Sequence, residues 1–527
     1  MKKILLFFCI VSLASGCGFL EEDPRDQVPG EMIVTDGSSL YLTTLGNLYS
    51  MFGSDEDGEG LMGTYRGIYD LGTFTTDEAI IPTRGGDWYD GGLWQRLFLH
   101  TWETGEAPLK NAWNYLYKVI VSANQALETL DRNKNLISES QYTSWKAETR
   151  AIRAMFYYYL CDLFGRVPMV TSSSVAMADV EQSDRSEVFF FVKSELEETA
   201  PLLFAGRSNF EGEYYGRITR PVAHFLLAKL CLEAGIYLDD DWTDGSVPSA
   251  QPYLHKAISW CDSLSSVYSL EPSYQDNFSV YNQNSVENIL TIPMDKQEYS
   301  TQFQDLFRSL HYDHAAACGM SGENGASATL EALESNGYGT ADEDPRFALN
   351  YWGGQALDMS GKPVLMSNGD PLVYKPSSVA LDISGAADEK LAGARMKKYA
   401  FDPNGMKDGK LIGNDIVIFR YADVLLMKAE ALVRNGEDGT TLVNAVRARA
   451  GAKPLEKVTL EDILRERMIE FAWEGLRRQD LVRFGRFTRS WSSRPALPGE
   501  SGGYTTVFPI PADVLALNPK LSQNPGY

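Results

Sequence analysis

Paired stripes of apolar residues at helical spacing constrain this chain more than any other feature. After Pro108, the set Trp113, Leu116, Tyr117, Ile120, Leu127 and Leu130 recurs at i, i+3, i+4 and i+7, with Asn124 interrupting the face. Trp145, Thr149, Ile152, Phe156, Tyr159 and Leu163 make a second stripe. Val188, Val192 and Leu196 before Pro201 suggest a third helix, and Ala223 to Ala234 a fourth that ends near Gly235. Leu254, Ala257, Ile258, Cys261 and Leu264 form a fifth. Ala422 to Leu432 repeats the pattern and stops at Asn435-Gly436, and a short segment from Leu442 stops at Gly451. Thr459 with Asp462 reads as a capping-box start for a helix whose apolar face is Leu460, Ile463, Leu464, Met468, Phe471 and Ala472.

The helix starts pair up near 109 and 143, 220 and 253, and 421 and 460, a spacing of about 34 to 40 residues per hairpin, as in tetratricopeptide (TPR) arrays. The fold class this implies is mainly α: TPR-like hairpins stacked as a right-handed solenoid scaffold. Long irregular loops with a few short strands would form the ligand-binding side. Residues 54–106, rich in Gly, Asp, Trp and Tyr, and residues 268–419, rich in Gly, Asn and Ser, read as those loops. Long loops on a rigid scaffold are where function usually sits.

Residues 1–16 read as a signal peptide: Lys2 and Lys3, the apolar run Ile4 to Leu13, then Ala14-Ser15-Gly16 before Cys17. The run is too short to span a bilayer. Ala14 to Cys17 resembles the bacterial lipoprotein box, which implies lipidation of Cys17; more than one acyl chain makes such an anchor stable. Residues 17–35, with Glu21-Glu22-Asp23, then form an acidic tether, and 36–527 a single α domain. Cys161, Cys231, Cys261 and Cys318 are widely spaced, with no C-x-x-C, so zinc or redox work is not indicated. The three in helical patterns read as buried thiols. With 48 basic against 71 acidic residues the net charge is −23, which sets nucleic acid aside as a partner.

Several blocks resemble the SusD/RagB proteins, the surface nutrient-binding lipoproteins of Bacteroidetes. They are Glu148-Thr149-Arg150-Ala151-Ile152-Arg153-Ala154, Tyr157-Tyr158, Phe164-Gly165-Arg166-Val167-Pro168 and Gly216-Arg217-Ile218-Thr219. Phe419-Arg420-Tyr421-Ala422-Asp423 and Asn444 to Gly451 come next. The most specific is Arg465-Glu466-Arg467-Met468-Ile469-Glu470-Phe471 with Glu474-Gly475 and Arg478-Gln479-Asp480-Leu481. Phe508-Pro509-Ile510-Pro511 and Gln523 to Tyr527 close the match. Read as chemistry, Glu466, Arg467, Glu470 and Glu474 lie at helical spacing and suit ion pairs, with Arg447, Arg449 and Arg477 as further partners. The resemblance implies a non-catalytic protein on the cell exterior, tied to the outer membrane by its lipid anchor. It would bind glycan and act as a lid on a SusC-like TonB-dependent transporter, its partner.

A sugar offers flat C–H faces ringed by hydroxyls, so its site needs exposed rings beside carboxylates, amides and arginine. Residues 77–96 supply that mixture: Asp77, Arg84, Trp88, Tyr89, Trp94 and Gln95, with Gly85, Gly86, Gly91 and Gly92 leaving the loop free to shape itself. In the family, this region supplies part of a glycan-binding aromatic arc. A second wall is expected from the long insert, from His311, Tyr312, His314, Tyr351 and Trp352, with Tyr274, Tyr281 and Tyr338 as further candidates. A peptide or glycopeptide ligand, and a glycoside hydrolase built on Asp87 and Asp90, are the alternatives. No catalytic motif, cofactor motif or metal motif is present. Asp55, Asp57 and Glu59-Gly60 open like a calcium loop, but Arg66 stands where its closing Glu belongs, so a structural calcium has no motif behind it.

Overall fold

The computed structural model describes residues 34–175, 179–245, 247–297 and 299–527. The signal segment 1–16, Cys17 and the Glu21–Asp23 run lie outside the described residues.

The scaffold is helical. Its elements are α1 (Ala107–Asn133), α2 (Glu139–Phe164), α3 (Arg185–Thr199), α4 (Arg220–Leu232), α5 (Gln251–Leu264), α6 (Tyr421–Arg434), α7 (Thr440–Arg449), α8 (Leu460–Glu470) and α9 (Arg477–Arg483). α1 carries Pro108 in its first turn, where the missing N–H is no loss. At 1.5 Å per residue it runs about 40 Å. Most of its expected stripe is buried: Trp113, Leu116 and Ile120, joined by Val119, share one core with Ile152, Phe156 and Leu163 of α2, Leu130 is also buried, and Tyr117 and Leu127 are half-buried. Full burial of one such leucine contributes about 1.5–3 kcal/mol. α2 starts at a capping box in which the Gln141 amide donates to Ser138 Oγ (3.2 Å) and the Ser138 amide to Gln141 Oε1 (3.0 Å). α8 starts at the expected Thr459–Asp462 box.

Each helix packs on the next in sequence, α1 on α2, α2 on α3, α3 on α4, α4 on α5, and α5 across the long insert on α6. The hairpins at 109/143 and 220/253 are therefore present. The third differs: α7 intervenes, and α6 packs on both α7 and α8. Asn124 is a satisfied interior amide, donating to Val170 O (2.9 Å) and accepting from Arg153 (2.8 Å). Cys161, Cys231, Cys261 and Cys318 are buried free thiols, and burial pushes the Cys161 thiol up to about 12. The chain's last segment packs against α2, with Asn524 Nδ2 donating to Phe164 O (2.8 Å).

The two segments expected as irregular loops hold more order than their composition suggests. They contain the short helices Ile68–Thr73, Leu93–Leu99, Asp305–Ser309, Tyr312–Ala317 and Leu330–Ser335. Short strands tie distant parts of them together, among them β1 (Ala79–Ile80), β2 (Asn288–Ile292), β3 (Ser327–Ala328) and β4 (Ile416–Arg420). β1 pairs antiparallel with β3 (Ala79 opposite Ala328), and β2 with β4 (Ile416 opposite Ile292) with irregular register at Val417–Arg420. Much of this region is interior. Buried asparagines make that tolerable by pairing stranded backbone groups. Asn282 Nδ2 reaches Asn277 O (2.6 Å) and Asp415 O (3.1 Å), and Asn414 Nδ2 reaches Phe278 O and Ala400 O (both 3.0 Å). Asn-rich composition therefore marks interior splints here rather than solvated loop.

The acidic and basic residues of α7–α9 are paired mostly across the tertiary fold, with Arg483–Asp480 (2.8 Å) a pair within α9. Arg346 bridges Asp344, Glu466 and Glu470 (2.6–2.8 Å). Arg420 bridges Glu287, Glu470 and Glu474 (2.6–2.8 Å). Arg449 also reaches Glu470, and Arg447 reaches Glu466 (2.7 Å). Arg467 joins Asp423 and Asp480. Three guanidinium groups surround Glu470 and hold its carboxyl far below the usual range despite burial. Arg477 departs from the expected set: its partner is Asp77, not a glutamate of α8.

Candidate ligand-binding face

The loop after β1 is drawn onto the long insert by long-range contacts. Arg84 is buried and donates to Glu389 O (2.5 Å), Ser327 Oγ (2.9 Å) and Ala392 O (3.0 Å). Asp87 Oδ2 accepts from the Tyr312 hydroxyl (2.8 Å). Trp88 Nε1 donates to Glu323 O (2.8 Å). Two of the loop's non-glycine residues, Trp88 (φ +61°) and Asp90 (φ +42°), are left-handed. An aromatic residue held there is strained, and such residues persist only where the surroundings over-determine them. One determinant is Gly325: a Cβ on it would lie 2.6 Å from the Trp88 ring.

A buried cation organises the floor beneath. The Arg308 guanidinium pairs with Asp70 (2.8 Å) and Asp305 (3.0 Å) and faces the rings of Tyr65 (4.5 Å) and Phe74 (4.7 Å). Tyr65 and Trp94 in turn meet the Trp88 ring edge-on or tilted, with centroids at 6.4 and 6.0 Å. Trp88 is thus half-buried on a packed base.

The expected residues divide by this geometry. Tyr89 (53% exposed) and Tyr312 (36%) stand in solvent, and Lys390 Nζ lies 5.8 Å from the Tyr312 ring centroid. Trp88 and Gln95 are half-buried at the same loop, Gln95 bonding Thr83 Oγ1 (3.1 Å). Five others are committed to the fold and offer a ligand little. Trp94 is 1% exposed and donates to Asp90 (2.8 Å). Asp77 is held by Arg477 through two bonds (2.7 and 2.9 Å). Arg84 spends its donors clamping the loop to the insert. Tyr351 is packed between Phe347 and Trp473. His311 is buried as a helix cap, its Nδ1 accepting from the Asp313 amide (3.1 Å), and burial lowers it to about 4, so it is neutral at pH 7.

Trp352 belongs to a neighbouring cluster. It stacks on Phe401 (6.0 Å, 13°) and meets His314 edge-on at 4.8 Å, beneath the helix that carries Tyr312. His314 is fully buried between Tyr374 OH (3.0 Å) and Leu357 O (3.1 Å). Tyr274 is buried, and Tyr338 packs on Phe347 (4.5 Å). Sequence reasoning missed Lys390 beside the Tyr312 ring and the Glu323 carbonyl that seats Trp88; single residues in a Gly/Ala-rich stretch carry no periodic signal. The carboxylates of the calcium-like opening are occupied by the chain's own cations, Asp57 by Arg66 (2.9 Å) and Glu59 by Lys118 (2.7 Å). Asp90 likewise accepts from Arg66 (3.1 Å).

Hairpin scaffold and face together define a class: a stacked-helix protein presenting one loop-built surface of aromatic and polar side chains. Comparison with known proteins gives the class its relatives. The model described as "SusD family" matches residues 287–527, and "Starch-binding associating with outer membrane" matches residues 76–232. The starch-binding protein SusD of Bacteroides thetaiotaomicron is 26% identical over 90% of this chain and 87% of its own length. Among solved structures, a laminarin binding SusD-like protein superposes with TM-score 0.70 at 22% identity, covering 94% of this chain and 100% of that one. Surface glycan-binding protein A from Bacteroides thetaiotaomicron, in complex with laminarihexaose, gives TM-score 0.70 at 18% identity over 93% and 100% of the two chains. The chain is thus similar to SusD-like proteins over residues 76–232 and 287–527.

Proposed function

We propose that this protein is a non-catalytic glycan-binding lipoprotein of the outer membrane. It is anchored through Cys17 on the exterior, captures an oligosaccharide or polysaccharide, and delivers it as a lid to a SusC-like TonB-dependent transporter. The observation that carries the reading is the joining of two segments far apart in sequence, which sets Trp88, Tyr89 and Tyr312 beside Asp87 and Lys390. Rings that stack on C–H faces and charged groups that bond hydroxyls are what sugar recognition needs. Relatives named for starch and laminarin binding support the ligand class, and a family named for outer-membrane association supports the location. Asp87 and Asp90 are tied to Tyr312, Trp94 and Arg66, which argues against a hydrolytic carboxylate pair.

The test is affinity electrophoresis of the lipid-free protein in gels containing host and plant polysaccharides, laminarin and starch included. Retardation by one class, weakened in Tyr89→Ala and Trp88→Ala, is the expected result. Retardation by none, with binding of peptides that free oligosaccharide fails to displace, would replace the glycan reading by the peptide one.

A further inference from the structure

A second cleft shares no lining residue with the loop 84–95 or the segment 311–325. It encloses about 450 Å³, within the range of small-ligand sites. Tyr215, Tyr281, Gln283, Lys296, Tyr299 and Asp415 line it. Two of these rings are open to solvent, Tyr281 at 61% and Tyr299 at 53% exposure.

The Tyr281 ring is seated rather than loose. Its backbone is left-handed (φ +63°), its amide donates to Gly413 O (2.9 Å), and a Cβ on Gly413 would come within 3.0 Å of the ring. Lys296 Nζ lies 5.7 Å from the ring centroid while pairing with Asp402 (2.7 Å), leaving further N–H donors free to turn toward the cleft. On the floor the Tyr215 hydroxyl donates to Asp415, which also accepts from the Met294 amide (3.0 Å). Tyr299 lines the same cleft as Tyr215 and Tyr281.

We infer that this cleft is a second saccharide-binding site, taking an uncharged stretch of glycan on the Tyr281 and Tyr299 rings. Gln283, Lys296 and Glu211 are placed at its walls to meet hydroxyls. Among the described residues Lys296 is the one cation lining it, against Glu211, Asp295 and Asp415, which disfavours a polyanionic chain. Pro293 and Met294 are the only aliphatic side chains among those described at its walls, too few for the dry centre of a protein interface. The site goes beyond the loop face, since it uses none of that face's residues.

The test is the same set of polysaccharide gels run with a Tyr281→Ala/Tyr299→Ala double variant, with Tyr281→Phe, and with Trp88→Ala. The double variant is expected to weaken retardation about tenfold on at least one polysaccharide, with an unchanged melting temperature, while Tyr281→Phe retains it. Unchanged retardation of the double variant on every polysaccharide that the wild type binds overturns the second site and leaves the loop face standing. Loss in the double variant but not in Trp88→Ala keeps the second site and removes the loop face. Absence of binding by the wild type overturns both. Loss in the double variant together with a fall of several degrees in melting temperature, or loss in Tyr281→Phe, marks the tyrosines as structural and also overturns the site.

Discussion

Two regions of the molecule treat charge in opposite ways. Around Glu470, arginines and carboxylates are fully buried and each is matched by several partners. On the loop face, Asp87, Tyr312 and Lys390 meet at the edge of solvent, with single contacts and open rings. The first arrangement fixes a shape. The second leaves donors, acceptors and aromatic surface to be completed by something else. Sequence blocks that stand out most as a signature fall in the first region, and they act as scaffold.

The contrast breaks first at its centre. Glu470→Ala takes one carboxylate from each of three interior guanidinium groups, Arg346, Arg420 and Arg449, leaving them only their bonds to Asp344, Glu466, Glu287 and Glu474, and denaturant unfolding is expected to show a loss of about 3–5 kcal/mol. Acid probes the same region more gently. Asp423 and Glu430 are each held down at about 2 by neighbouring guanidinium groups. Their contribution, about 2–3 kcal/mol apiece, is complete above the unfolded carboxylate range and is lost as pH falls from about 4.5 toward 2. Raising pH from 5 to 8 should leave that contribution unchanged, and Glu430→Gln should flatten the acid limb of a stability–pH profile.

On the loop face the effects move from stability to binding. Gly325→Val forces the Trp88 ring off its seat, so calorimetry should show binding lost more than tenfold, with an overpacking penalty of about 1–3 kcal/mol. Tyr89→Ala removes one exposed ring. About a tenfold loss of glycan affinity is expected, with stability changed by less than about 0.5 kcal/mol. At the bottom of the scale, the solvent-exposed pair Lys453–Asp342 serves as a control: Asp342→Asn should alter neither melting temperature nor binding.

The helices were legible because burial imposes a 3.6-residue period on whole segments, and the Thr459 box because capping chemistry is local. The loop 84–95 was legible as a place, since Trp, Tyr, Asp and Gly there follow no core pattern. Which of its side chains face solvent was not. Trp94 and Trp88 have the same composition signal six residues apart, yet one is closed in by Phe74 and Asp90 while the other sits over Gly325. Arg84 and Asp77 looked like ligand groups because their partners lie hundreds of residues away. Residues 268–419 read as exposed loop because asparagines that splint an interior look, in composition, like asparagines in water.

The bonds that assemble the loop face also say when it comes into being. Asp87 finds Tyr312 across 225 residues, Trp88 finds Glu323 across 235, and Arg84 finds Ala392 across 308. Closing chains of that length is entropically slow and rewarded only at the end, whereas the hairpin of α1 and α2 closes locally. Ligand retention is therefore a late acquisition in folding. A chain whose helices have all formed, and whose circular dichroism is already native, should still pass unretained through a column of immobilised ligand until those distant strips have met.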